Sequence, residues 1–179
     1  MISLHVIFWM YIILFAIIGA MRGWAKELLV TFSVILAVFI MTVLESFVPF
    51  VKDVLANNAE AHFWVRVGVL AALVFFGYQS PNISRLATNN RFARDRVQDI
   101  LLGMFMGALN GYLVVGSFWW FLADANYTTV KFIEIAGMSA ERLALLESYI
   151  RRMPPEWMQP PVIYFAVALA FVFVLVVFL

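Results

Sequence analysis

The stretch "RGWAKE" carries Arg22, Lys26 and Glu27, and a later stretch places Arg96 and Asp99 just ahead of another apolar run. Charged side chains at the ends of apolar segments either pair across helices or reach lipid headgroups. Both stretches connect segments on the same side of a membrane. The expected arrangement is therefore a shared charge network of Arg22, Lys26, Glu27, Arg96 and Asp99 on that side. Glu45, about a turn from the end of its run, reads as an interfacial carboxylate, and Arg66, inside another run, as a snorkelling side chain. His5 and His62 are the only histidines, and an imidazole can ligate haem iron or chlorin magnesium. Two lone histidines in an aromatic-rich chain read first as interfacial residues, so no cofactor is expected. No H-E-x-x-H, G-x-S-x-G or phosphate-loop pattern is present, nor a His/Asp/Glu set with metal-ligand spacing. Neither catalytic residues nor a metal site follow from the sequence, and the chain reads as a non-enzyme.

What positions these groups is a set of membrane helices. Apolar residues are 65% of 179 and charged residues 13%, with mean hydropathy +0.95. A soluble domain has roughly 45–50% and about 25%. The net charge is +1 and no basic block points to nucleic acid, so no such partner is expected, and the absence of cysteine excludes disulfides and thiolate metal sites. A helix needs about 20 apolar residues to cross about 30 Å of hydrocarbon. Spans are expected at about 2–21, 28–50, 62–78 and 100–122, within a core of residues 1–122, and a last span at 162–179. The first lacks a basic leader and an A-x-A site, so it reads as a retained span.

Residues 123–161 form an extramembrane loop with an amphipathic helix at 140–153. Ser139 is its N-cap, Leu143, Leu146, Ile150 and Met153 its apolar face, Arg151 and Arg152 its last turn, and Pro154 and Pro155 its stop. The fold expected is an all-α membrane protein, a polytopic bundle of about five transmembrane helices plus one interfacial amphipathic helix. Arg22, Lys26, Arg85, Arg91, Arg94 and Arg96 crowd two loops of one side, half of the 12 basic residues. That side is expected to be cytoplasmic, with the amino terminus outside and the carboxyl terminus inside. The six tryptophans fall mostly near span ends, as an interfacial belt requires.

Gly103, Gly107 and Gly111 recur every four residues in "GMFMGALNGY" and form one groove along a span, with Asn110 beside it. Helices in lipid associate through close packing and interhelical hydrogen bonds, for which small residues are suited. The groove is expected to receive a helix of this chain or of a second copy. "GAMRGW", with Gly19 and Gly23, repeats the G-A-x-x-G-aromatic pattern of "GALNGY".

These two stretches resemble the colicin V production protein (CvpA) family of bacterial inner-membrane proteins. Its Arg-Gly-aromatic…Glu element is matched by Arg22, Gly23, Trp24 and Glu27. Its Asp-Arg-x-Leu-Gly-x-x-x-Gly-Ala-x-Arg-Gly element is matched by Asp99, Leu102, Gly103, Gly107, Ala108 and Gly111. Ile100 and Asn110 stand where that pattern has arginines, and the family's Asp near the start of span one is absent. The resemblance covers roughly residues 8–120. It implies a protein of the bacterial cytoplasmic membrane linked to toxin production or export and envelope maintenance. Its expected partners are the lipid bilayer and further copies of itself. The missing arginines point to an alternative, an accessory subunit of a larger membrane complex, bioenergetic or photosynthetic.

Overall fold

A computed structural model describes residues 4–49, 51, 58–79, 93–127 and 139–178. The basic residues Arg85 and Arg91 lie outside them. The described residues form helices and no strand: α1 (Leu4–Arg22), α2 (Trp24–Phe47), α3 (Ala59–Tyr78), α4 (Ala93–Asp124), α5 (Ala140–Ile150), α6 (Pro154–Trp157) and α7 (Val162–Phe178). The first four are long and apolar enough to cross a membrane. The last expected span, α7, has 17 described residues, about 26 Å of apolar helix.

The α1–α2 connection is shorter than the sequence suggested. "RGWAKE" reads as a loop, yet only Gly23 lies outside the helices. Its φ of +86° is a conformation that glycine adopts without strain, and it turns the chain in one residue. A Cβ there would meet the Asp99 carboxylate oxygens at 2.8 and 2.9 Å. That carboxylate accepts a hydrogen bond from the Trp24 N–H at 3.1 Å. Asp99 thus caps α2 from another helix and satisfies one of its orphan donors, which lets α2 begin at Trp24 rather than at residue 28.

The glycine groove of α4 is filled by α1, running antiparallel to it. A Cβ on Gly19 would lie 2.2 Å from the Gly103 carbonyl oxygen and 2.7 Å from the Gly107 Cα. One on Gly107 would lie 2.3 Å from the Phe15 carbonyl oxygen, and Gly111 packs against Ile12 and Phe15. The two backbones touch, and no side chain fits between them. On α3, Gly77 plays the same part against Val30 and Ser33 of α2. Gly68 faces open space.

The end of the bundle holding Arg22 and Asp99 is called the hairpin face, and the opposite end the cap face. At the cap face α5 lies across α1 and α4, with Tyr149 stacked on Trp119 and in contact with His5. Ser139 accepts from the Arg142 N–H at 3.5 Å, the expected N-cap. The helix ends at Ile150, so Arg151 and Arg152 fall in the turn after it, not in its last turn. Pro154 and Pro155 open the short α6 as well as stopping α5. This turn descends along the bundle. Pro154 lies over Gly116, the Tyr112 hydroxyl donates to the Arg152 carbonyl, and Trp157 Nε1 donates to the Tyr112 hydroxyl at 3.1 Å. Consequently α7 starts beside the middle of α2, where Tyr164 meets Phe39, six residues short of Glu45. Trp119 is buried beneath this cap and does not join an interfacial belt.

The seam predicts a sharp contrast. Gly19→Ala should lower the thermal midpoint and folded yield in detergent, costing about 1–3 kcal/mol or more, because its methyl collides with backbone that cannot swing aside. Gly68→Ala should leave both unchanged or improve them by about 0.5–1 kcal/mol. Equal behaviour of the two variants in a fluorescence-detected melting assay would remove the seam argument.

Candidate functional site: two polar fastenings

Four helices send polar groups to one point near the hairpin face. Arg22 Nη1 lies 2.6 Å from Glu27 Oε1, and the Glu27 side chain is wholly buried. The other Glu27 oxygen accepts from Asn110 Nδ2 at 2.8 Å, and the Glu27 carbonyl accepts from the same amide at 2.9 Å. Asn110 Oδ1 in turn accepts from the Thr31 hydroxyl at 2.6 Å. Arg22 Nη2 donates to the Tyr78 carbonyl at 3.0 Å, and its guanidinium lies 4.3 Å from the centre of the Tyr78 ring. The last carbonyl of α3, which has no partner within its own helix, is thereby satisfied by a cation.

The expected charge network exists only in part. Arg22 and Glu27 pair, and Asp99 serves as the cap of α2 rather than as a partner of Arg22. Lys26 is half-buried and Arg96 exposed, and neither forms an ion pair with a described residue. Asn110 takes part although it was not expected among the charges. It faces α2, while its glycine neighbours face α1, because residues three apart on a helix differ by about 60° in direction.

A second cluster ties α2, α3 and α4 at the cap face. Arg66 donates from Nε and Nη2 to the two oxygens of Glu45 at 2.7 and 2.9 Å, a bidentate pair, and from Nη1 to Asp124 Oδ2 at 2.6 Å. His62 Nε2 lies 2.8 Å from Glu45 Oε1. The Trp120 and Phe121 rings flank the guanidinium at 5.2 and 5.6 Å. A cavity of about 240 Å³ beside it is lined by Thr42, Glu45, Ser46, Arg66 and Gln159 together with apolar and aromatic side chains. Arg66 is therefore a buried ion-pair centre and not a snorkelling side chain, and Glu45 is its partner and not a lone interfacial acid. The signal in the sequence was that all three charges lie near span ends; which ends meet depends on packing.

In both fastenings the carboxylate, guanidinium and amide groups bond one another. Such an arrangement holds helices together, since each bond crosses from one helix to another. The histidines are engaged too: His5 Nε2 accepts from Trp9 Nε1 at 2.9 Å, and His62 Nε2 is taken up by Glu45. Among the described residues no group of three or more His, Cys, Asp or Glu is placed to hold a metal ion.

The helices and fastenings define an all-helical membrane protein with at least four segments able to span. No protein-family model, curated protein or solved structure matches the chain.

Removing one partner of a buried pair strands the other. Arg66→Met should cost about 1–3 kcal/mol, because Glu45 and Asp124, both partly exposed, lose the guanidinium they share. Lys26→Met should cost almost nothing. Asn110→Leu should cost about 1–3 kcal/mol by orphaning the second Glu27 carboxylate oxygen and leaving the Thr31 hydroxyl only the Glu27 carbonyl, at 3.2 Å. Denaturation midpoints of the three variants in one detergent would check the order, and a Lys26 variant as damaged as the Arg66 variant would refute it.

Proposed function

We propose that this chain is a non-enzymatic structural protein of the bacterial cytoplasmic membrane. In this reading it acts as the CvpA resemblance implies, in toxin production or export or in envelope maintenance. The hairpin face is cytoplasmic, the amino terminus is outside and the carboxyl terminus inside, following the crowding of basic residues in the loops of that face. The observation that carries the reading is the use of Arg22, Glu27, Asn110 and Arg66 as fasteners between helices. Intramembrane polar groups commonly mark a substrate or ion path. Here their bonding capacity goes into rigidity.

Assembly with further copies then uses faces other than the glycine groove, which α1 occupies. Two continuous apolar stripes remain exposed. One is Val6, Met10, Ile13 and Ile17 on α1, the other Phe165, Leu169, Val172 and Val176 on α7. Each follows i, i+4, i+7, i+11 spacing, the seam by which one helix packs along another. The α7 stripe also favours the second reading, an accessory subunit of a larger bioenergetic or photosynthetic complex. This helix packs chiefly on α2 and offers the rest of its surface outward.

Native mass spectrometry of the protein gently extracted from its own membranes separates these readings. The expected species is a homo-oligomer. A fixed stoichiometry with other subunits would replace the first reading by the second, and a lone monomer would count against both.

A further inference from the structure

Arg151 and Arg152 are exposed at the cap face, and neither forms an ion pair with a described residue. Three carboxylates lie near them. Asp124, on the wall of the same cleft as Arg151, is paired with Arg66. Glu156 accepts from Trp120 Nε1 at 2.9 Å, on the bundle side. Glu147 shares with Arg151 the wall of a cleft between α5 and the end of α4, without pairing with it.

The backbone at Arg152 is held low. The Arg152 carbonyl is fixed by the hydroxyl of Tyr112, whose ring packs on Phe8, in the second turn of α1, at 6.4 Å between ring centres. Arg152 therefore leaves the chain near the level of the second turn of α1, inward of the first described turn of that helix. A guanidinium at that depth does not rest in hydrocarbon. Its methylene stem carries it outward to the plane of the lipid phosphates. Trp157, anchored through Nε1 to Tyr112 and 46% exposed, offers a ring at the same level, suited to the boundary between headgroup and acyl chains.

We propose that Arg151 and Arg152, with Trp157 beside them, bind the headgroup phosphate of an anionic phospholipid in the cap-face leaflet. Charge selects the lipid class. A zwitterionic headgroup brings its own cation to the site, whereas phosphatidylglycerol presents its phosphate without one. Depth selects a lipid over a dissolved anion, because the site is reached along the bilayer. The inference is independent of the structural reading above: it holds for a monomer, a homo-oligomer or a subunit of a complex.

The test uses the full chain in nanodiscs of equal parts phosphatidylglycerol and phosphatidylcholine, with retained lipids counted by native mass spectrometry. Each basic side chain at an anionic headgroup is worth about fivefold, so the two together should favour phosphatidylglycerol by about 25-fold. Arg151→Gln combined with Arg152→Gln should abolish the preference. Lys26→Gln combined with Arg96→Gln, unpaired cations of the hairpin face, should keep it. Millimolar inorganic phosphate should leave retention unchanged. Equal retention of the two lipids, a preference surviving in the Arg151/Arg152 variant or lost in the Lys26/Arg96 variant, or displacement by inorganic phosphate would each overturn the proposal.

Discussion

Lipid tails are as apolar as leucine, so helices in a bilayer gain nothing by hiding apolar surface from their solvent. Association has to come from contacts that lipid cannot replace. In this chain that contact is backbone on backbone, between Gly19 of α1 and Gly103 and Gly107 of α4. Much of the remaining geometry follows from it. The seam brings the end of α1 beside the start of α4, so Asp99 can cap α2 across the single-residue turn at Gly23. That turn delivers Arg22 to Glu27, and α2 then lies where Glu27 meets Asn110.

The two fastenings act at opposite ends of the same helices. Glu27 and Glu45 are eighteen residues apart on α2, about 27 Å, close to the thickness of a hydrocarbon core. Between them the contact face of α2 is Val30, Val34, Ala37, Val38 and Met41, all buried. Polar bonds fix the ends and apolar packing fills the middle. A buried ion pair is weak evidence for net stability, but loss of one member is costly, so such pairs reject misaligned neighbours. Sliding α2 by one turn against α3 and α4 would strand Glu27 and Glu45 together.

Much of the helix pattern was legible in the sequence, because apolar run length is a property of the chain itself. The glycine groove was legible too, since Gly103, Gly107 and Gly111 share a face at any rotation of the helix. What lay opposite the groove was not, for spacing within one helix does not name the partner. The same limit explains the charges. Arg22 and Glu27 are near in sequence and were expected in one network, whereas Arg66, Glu45 and Asp124 come from three helices: the first two were read singly and Asp124 was not singled out. The early start of α2 was hidden for the same reason, its cap being Asp99, 75 positions along the chain. The descent of residues 151–157 along the bundle, and with it the start of α7 beside the middle of α2, rests on Gly116 and Tyr112, which carry no local signal of that contact.

The capping of α2 by Asp99 has a consequence for the order of manufacture. A ribosome finishes α1 and α2 long before it reaches Asp99, and longer still before Asn110, which lies 83 positions beyond Glu27. Until then Glu27 has only Arg22, and the first N–H groups of α2 look to water or headgroups. The nascent pair of helices is thus best kept at the membrane surface or beside a polar path until α4 arrives. The glycine seam, the cap and the amide are all carried on α4, so its entry supplies the three at once. Completion of the hairpin and recruitment of the fourth helix are a single event in the birth of this protein.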